Sequence, residues 1–354
     1  MPQQPGLFGI TNSNRDFTKE NSWGKNQFNS SFPASLSSYL ESKNLKNNYI
    51  TLGDDLKINH KEISTTDLYG ISPDDSNIFY AFESSYNPFQ QFVIGTLPRV
   101  DLVIQDKNNG NCLSGIEVKL TALPDNTTCE LSVSNYGTEI VIRPDTIVYL
   151  ACSIAENFKN KLPELKEIFD DKFDGIDDWT EIDSVISHIK SMVSILDDVS
   201  SSIIDSQKPI VMQPVWKTNG KSPRLANHCL DVFIWSDLGF MQLFLDSGRT
   251  DNQLTKINRQ VRTIVWLFKM LWEFSQNGQF DHHRIIDELS YNTKNDKAFA
   301  VSGIVTHPYM QSPNLTKPRI QKTALKEIIL GGGQNLLSPE RRFDAIIYNS
   351  PELF

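Results

Sequence analysis

The sequence has little of what marks several large classes of protein. Its four cysteines include no Cys-x-x-Cys pair, which disfavours a disulfide framework and a thiolate zinc site. The longest apolar stretch, Thr263 to Trp272, is about ten residues long and contains Lys269, whereas a membrane-spanning helix needs about 20. The first thirty residues lack the basic flank and apolar run of a secretory signal. These absences predict a cytoplasmic protein with no membrane segment.

The chain also lacks an excess of positive charge. Its formal net charge is −9, from 34 lysines and arginines against 43 aspartates and glutamates. This total argues against a simple nucleic-acid coat, because phosphate binding needs concentrated positive charge. A local basic patch can nevertheless lie within an acidic total. One cluster of bases stands in the C-terminal part, at Lys294, Lys297, Lys317, Arg319, Lys322 and Lys326.

The order of predicted elements is that of an α/β protein. β-branched runs predict strands at 100–105 and 115–120, joined by a turn that contains Asn109-Gly110. A third strand is predicted at 139–142, and Pro144 then begins a helix. Three strands followed by a helix indicate a mixed sheet with helices packed against it.

The C-terminal half predicts further helices and strands. Apolar residues spaced by three and four predict long helices over 177–205 and 253–276. Strands are predicted at 211–216 and 229–235, and a last one at 343–348. Additional helices and strands therefore follow the first α/β unit.

The candidate chemistry lies on the two strands of the predicted hairpin. Side chains alternate along a strand, so Glu117 and Lys119 project from one face while Ile116 and Val118 face the core. Asp101 lies on the polar face of the preceding strand and converges with Glu117 if the hairpin pairs as written. Two carboxylates beside a lysine suit Mg²⁺ held against a phosphate. The alternative is a surface Glu–Lys pair, which contributes little to stability.

These residues carry a resemblance to a known family. Asp101, preceded by Pro98, and the segment Gly115-Ile-Glu117-Val-Lys119 resemble the PD-(D/E)xK signature of type II restriction endonucleases. The longer stretch from Gly115 to Cys152 resembles the HindVP-type restriction endonucleases in particular. One departure is that Pro98 stands three residues before Asp101 rather than next to it.

The resemblance implies a fold and an activity. It implies an α/β restriction-endonuclease-like core, a mixed β-sheet flanked by helices, that hydrolyses double-stranded DNA with Mg²⁺. Asp101 and Glu117 are the implied metal ligands, and Lys119 is the implied catalytic lysine. The implied target is GRCGYC, a site that a cognate DNA methyltransferase would also recognise. A homodimer is implied as well, because cutting both strands of a two-fold symmetric site takes two symmetric active sites.

On this interpretation the chain has three parts. Residues 1–32 form an irregular N-terminal arm, 33–210 form the catalytic core with its long helix, and 211–354 form a basic part that packs on the core and contributes to DNA binding. Two other functions stay open. One is a repair or structure-specific nuclease with the same core, and the other is a DNA-binding module without catalysis.

Further site residues are predicted with their alternatives. Glu83, on a helix predicted to begin near Asp75, is an additional carboxylate for the metal or an exposed helix glutamate. Arg143, just past the third strand, contacts a phosphate, or makes a structural cap or an ion pair. The polar side of the 253–276 helix contacts DNA or is solvated surface. That side carries Lys256, Arg259, Arg262 and Lys269.

Overall fold

The computed structural model describes residues 13–14, 34, 37, 40–41, 44–73, 75–119, 139–203, 209–215, 231–250, 256–291, 293 and 298–302. The strands in these ranges are β1 (Asn47–Leu52), β2 (Ile58–Ile63), β3 (Ile78–Ser84), β4 (Val100–Asp106), β5 (Cys112–Val118), β6 (Glu139–Ile142), β7 (Pro209–Val215), β8 (Asp231–Ser236) and β9 (Phe299–Ser302). The helices are α1 (Thr65–Tyr69), α2 (Pro144–Phe158), α3 (Leu162–Asp170), α4 (Ile182–Ser201), α5 (Asp237–Thr250), α6 (Arg259–Asn277) and α7 (His282–Glu288), with a 3₁₀ helix at Asn87–Phe92.

Seven strands form one mixed sheet in the order β2-β1-β8-β7-β5-β4-β3. β3, β4 and β5 pair antiparallel, and β5 then pairs parallel with β7. β6 and β9 form a separate antiparallel pair. The α/β prediction of a mixed sheet flanked by helices is therefore confirmed. The boundary predicted at residue 210, between the core and the C-terminal part, falls inside strand β7. β7 pairs with β5, which precedes this boundary in the sequence, and with β8, which follows it.

Helix α6 lies at the centre of the helical layer, where it contacts α2, α3, α4 and α5. Its ends follow from the sequence: the Asn258 side chain accepts the backbone N–H of Val261, and Gly278 ends the helix with a left-handed φ of 72°. Trp266 and Phe268 of this helix are fully buried. The central position of α6 explains why it is enclosed on more than its apolar side.

The structure differs from the predicted elements near residue 80. The helix expected after Asp75 is strand β3, whose residues Ile78, Tyr80 and Phe82 are buried. Aliphatic and aromatic residues fit a buried strand well, and their spacing also fits a short helix. Strands β1, β2 and β9 and helices α1, α3, α5 and α7 were not predicted. The strand expected at 343–348 lies outside the described residues.

The structure also tests the predictions about the cysteines and about membrane-spanning helices. Cys112 and Cys152 are free thiols, and burial raises the pKa of Cys152. Among the helices that the structure describes, none has the length and apolar character needed to cross a bilayer.

Candidate active site

Strands β4 and β5 bring the two predicted carboxylates together. Leu102 pairs with Ile116 and Val103 with Gly115 in the antiparallel register, so Asp101 lies across from Glu117. The Oδ2 atom of Asp101 accepts the backbone N–H of Val118 at 2.8 Å. This bond holds the aspartate of β4 against the strand that carries the glutamate.

Lys119 follows directly after β5 and completes the group. Its Nζ donates to Oε1 of Glu117, and both side chains are largely buried, with 14% and 12% of their surface exposed. Its backbone N–H donates to the carbonyl oxygen of Met212 at 2.9 Å, which extends the parallel pairing of β5 with β7. Asp101, Glu117 and Lys119 are thus clustered on two neighbouring strands, as the spacing predicts.

The group holds more negative than positive charge in a buried setting. Burial, and next the charge of Glu117, raise the pKa of Asp101 above its ordinary value; Lys119 and the Val118 N–H act in the opposite direction. Two carboxylates and one ammonium leave a net negative charge that a cation would neutralise.

The donor set fits a hard divalent cation. The Val118 N–H bonds to one carboxylate oxygen of Asp101, and Lys119 pairs with one carboxylate oxygen of Glu117. Neither of these two interactions involves the other oxygen of the carboxylate. In the part of the chain that is described, no group of three or more histidine, cysteine, aspartate or glutamate side chains is placed to hold a metal ion. Mg²⁺ needs only one or two carboxylates, because water and phosphate oxygens complete its shell.

Glu83 lies beside this group, on β3 rather than on the predicted helix. Phe82 pairs with Leu102 and Ser84 with Val100, which places Glu83 opposite Asp101. Its φ of 47° is in the left-handed region, an uncommon conformation for a residue with a side chain. Its charge contributes to raising the pKa of Asp101. The strand therefore brings a third acidic residue to the site.

Asp145 is a charged neighbour of the site that the sequence analysis missed. It lies in the first turn of α2. Burial, and next the charge of Glu117, raise its pKa, whereas His282, Lys119 and His283 lower it. The only sequence signal for it was its place directly after Pro144, where an acidic residue is common in any helix.

Two tyrosines and a glycine support the strands of the site. The Tyr149 hydroxyl donates to the carbonyl oxygen of Pro98 at 2.9 Å and accepts the backbone N–H of Tyr86 at 2.9 Å. The Tyr86 side chain packs on Gly115, where an added Cβ would lie 2.9 Å from the Cβ of Tyr86. A side chain at 115 would therefore push Tyr86 away from β5, two residues before Glu117.

The helix predicted over 253–276 begins at Arg259 in the structure, so Lys256 precedes it. The four bases expected on one side of this helix do not form one exposed face. Arg262 is 0% exposed; its guanidinium donates to Thr293 Oγ1 and lies 4.3 Å from the centre of the Trp266 ring. Lys269 is 8% exposed and lies between the rings of Trp179 and Trp272, at 4.4 Å and 4.2 Å. The expectation of a solvated face is wrong for these two residues, because neighbouring segments cover them.

The other predicted DNA contacts are more accessible. Arg143 and Lys256 are exposed, and Arg259 is partly exposed. Contact of these three with DNA stays a prediction. The cluster from Lys294 to Lys326 lies outside the described residues.

A mixed sheet flanked by helices, with an aspartate on one strand and a glutamate and a lysine at the end of its neighbour, is a restriction-endonuclease-like arrangement. Residues 23–354 match the family model described as HindVP restriction endonuclease. The chain belongs to this family, whose named relatives are type II restriction enzymes.

Two curated relatives match over nearly their whole length. The chain is 48% identical over 354 residues to the probable type II restriction enzyme HindVP of Haemophilus influenzae, covering 100% of this chain and 96% of the relative. It is 46% identical over 351 residues to the type II restriction enzyme HgiDI of Herpetosiphon aurantiacus, covering 99% and 97%. No solved structure matches the chain.

Proposed function

We propose that the protein is a type II restriction endonuclease that hydrolyses both strands of double-stranded DNA with Mg²⁺ at the sequence GRCGYC. The observation that carries the proposal is the buried group of Asp101, Glu117 and Lys119, in a chain of the HindVP family. The target sequence rests on the family resemblance alone. The proposed location is the cytoplasm, together with a cognate methyltransferase that modifies the same site.

Asp101 and Glu117 would hold the Mg²⁺ ion. When bound, the ion acidifies water and stabilises negative charge on the phosphate. The Val118 N–H keeps Asp101 turned toward Glu117, so the two carboxylates need little rearrangement to bind a cation. Glu83 is proposed as an additional carboxylate of the same site, because it lies opposite Asp101 on the neighbouring strand.

Lys119 supplies the positive charge that hydrolysis needs. Water must lose a proton as it attacks phosphorus, and negative charge grows on the phosphate oxygens. Lys119 orients the water and stabilises that charge, while its ion pair with Glu117 limits its freedom beforehand. Because both side chains are mostly buried, bulk water screens this interaction less than it would at the surface.

The proposal includes a homodimer and a local basic surface for DNA. Two copies related by a two-fold axis present two active sites to a symmetric target. Arg143, Lys256 and Arg259 are the proposed phosphate contacts among the described residues, and the cluster from Lys294 to Lys326 is a further one. Such contacts attract DNA to a protein whose total charge is −9.

A digest of unmethylated plasmid DNA with Mg²⁺, followed by sequencing of the ends, tests the proposal. We expect discrete fragments that end within GRCGYC sites, and no fragments with the Glu117→Gln variant. The chain offers a matched control, because Asp55 and Lys57 have the same spacing and are ion-paired at 2.8 Å on the surface. Asp55→Asn should cut like the original protein.

Each other outcome corrects a defined part of the proposal. Discrete fragments that end at another sequence would refute the target and keep the enzyme class. A continuous smear would indicate a nuclease without sequence specificity. Uncut DNA at every Mg²⁺ concentration would refute the catalytic function.

A further inference from the structure

Asn14 lies along the outer edge of β3, the last strand of the sheet. The backbone N–H of Asn14 donates to the carbonyl oxygen of Tyr80 at 3.3 Å. Its side-chain oxygen accepts the N–H of Phe82 at 2.8 Å, and its side-chain nitrogen donates to the carbonyl oxygen of Phe82 at 3.0 Å. One asparagine amide therefore satisfies both backbone groups of Phe82, as a neighbouring strand would.

The residue after Phe82 is Glu83, which has the left-handed φ of 47°. A side chain makes this conformation unfavourable, so the surrounding structure has to hold it. On the inner edge of β3, pairing of Phe82 with Leu102 and of Ser84 with Val100 brackets Glu83. On the outer edge, Asn14 holds Phe82 and its side-chain nitrogen also lies 3.4 Å from Ser84 Oγ. Asn14 therefore contacts the residues on both sides of Glu83.

We propose that Asn14 is a positioning residue for the active site: by holding Phe82 at the sheet edge, it fixes the left-handed backbone of Glu83, which lies opposite Asp101 in the register of β3 and β4. The inference rests on the proposed function, because it gives Glu83 a share in metal binding. It assigns a role in catalysis to a residue of the N-terminal arm, far from the catalytic motif in the sequence.

The first test measures the Mg²⁺ concentration that gives half-maximal cleavage. Loss of a residue that orients a metal ligand commonly costs 10- to 100-fold in affinity or activity, and we expect Asn14→Ala to raise this concentration about tenfold. Asn108→Ala is the matched control, because Asn108 is exposed in the β4–β5 turn; it should leave the value unchanged. Thermal melting checks that both variants are folded.

A double-mutant cycle separates positioning from a general structural role. If Asn14 acts through Glu83, Asn14→Ala should add no further change in a Glu83→Gln background. If the double variant instead shows the product of the two single-variant effects, Asn14 acts independently of Glu83, and the inference is overturned.

Mn²⁺ binding to the protein in the absence of DNA can be measured by electron paramagnetic resonance. This measurement does not depend on cleavage. Asn14→Ala should weaken Mn²⁺ binding by about the same factor as it raises the Mg²⁺ requirement. If Asn14→Ala does not fold, Asn14→Asp replaces it, since aspartate keeps the oxygen that accepts the Phe82 N–H and loses the donor. It should show the same change to a smaller extent, and unchanged Mn²⁺ binding would overturn the inference.

The two hypotheses fail in different ways. Original protein that does not cut DNA with Mg²⁺ refutes the proposed function. Original protein that cuts, with Asn14→Ala equal to it in Mg²⁺ requirement and Mn²⁺ binding, refutes only the role of Asn14.

Discussion

The hydroxyl of Tyr149 donates a hydrogen bond of 2.9 Å to the carbonyl oxygen of Pro98, three residues before Asp101. The Tyr149 hydroxyl oxygen also accepts the N–H of Tyr86, in the segment that follows β3. Burial raises the pKa of Tyr149, so the hydroxyl keeps its proton at neutral pH. One side chain of α2 therefore connects the end of β3 to the beginning of β4.

Tyr149→Phe removes this connection and tests its importance. The change leaves a backbone N–H and a carbonyl without their partner, which we expect to lower the free energy of unfolding by about 1–3 kcal/mol. The cleavage rate should fall as well, because β3 and β4 carry the acidic residues of the site. Urea denaturation and initial cleavage rates give the two values.

Tyr291→Phe is the control for this variant, since its hydroxyl also donates to a backbone carbonyl, that of Trp179, at 2.7 Å. It should cost stability without slowing cleavage by the folded protein. Equal cleavage rates in the two variants would show that the Tyr149 bond supports the fold and not the site.

Asp101→Asn should separate stability from activity. Asparagine keeps an oxygen that accepts the Val118 N–H, and it removes one of two neighbouring buried charges. The metal-free variant should therefore melt at a higher temperature than the original protein, while its cleavage rate falls at least about 100-fold. A lower melting temperature would contradict the picture of carboxylates that repel each other in the absence of metal.

Lys119→Ala should also abolish cleavage, but with the opposite effect on stability. It leaves the largely buried Glu117 side chain without its ion-pair partner, and unpaired buried charges are strongly destabilising. DNA binding in Ca²⁺, measured by gel mobility shift, should be retained by folded Lys119→Ala. Cleavage at the original rate would remove Lys119 from the catalytic group.

The choice of cation tests the metal site directly. Mg²⁺ and Mn²⁺ should support cleavage, whereas Ca²⁺ should permit binding with little turnover, because its larger and more flexible shell positions the attacking water poorly. Excess chelator should stop cleavage, and added Mg²⁺ should restore it. Full activity in chelator would refute the metal hypothesis.

The bases predicted on the 253–276 helix should divide into two groups. Arg262→Ala removes a buried guanidinium that bonds Thr293 and covers Trp266, so it should lower the free energy of unfolding by about 2–4 kcal/mol. Lys256→Ala with Arg259→Ala should leave stability unchanged and flatten the slope of log affinity against log salt by about one unit per lost contact. An unchanged slope would move the proposed DNA contacts to other bases.

The hairpin that carries Asp101 and Glu117 could be predicted because its signals are local. Alternation along β4 and β5 and the Asn109-Gly110 turn define the pairing, and the pairing brings Asp101 to Glu117. The end of α6 at Gly278 is local in the same way. Where neighbours in sequence determine a feature, the amino-acid pattern was sufficient.

Features that depend on distant segments could not be predicted. The bases of α6 lie opposite its apolar stripe, and only the packing of a later segment shows that Arg262 bonds to Thr293 and is enclosed. Residues 78–82 fit a strand or a short helix, and pairing with β4 decides for the strand. Asp145 lies near the site only because α2 begins beside the site, and no local spacing in the sequence predicts that position.

The parallel pairing of β5 with β7 sets an order of events during synthesis. Glu117 pairs with Val211, and the backbone N–H of Lys119 bonds to Met212. Both residues therefore lack these β7 partners until the ribosome has made β7. β1 likewise cannot pair with β8 until β8 has been synthesised. Pairing between segments so far apart in sequence forms slowly. The nascent chain therefore carries Asp101, Glu117 and Lys119 long before these residues are in their final setting, which forms only when translation is well advanced.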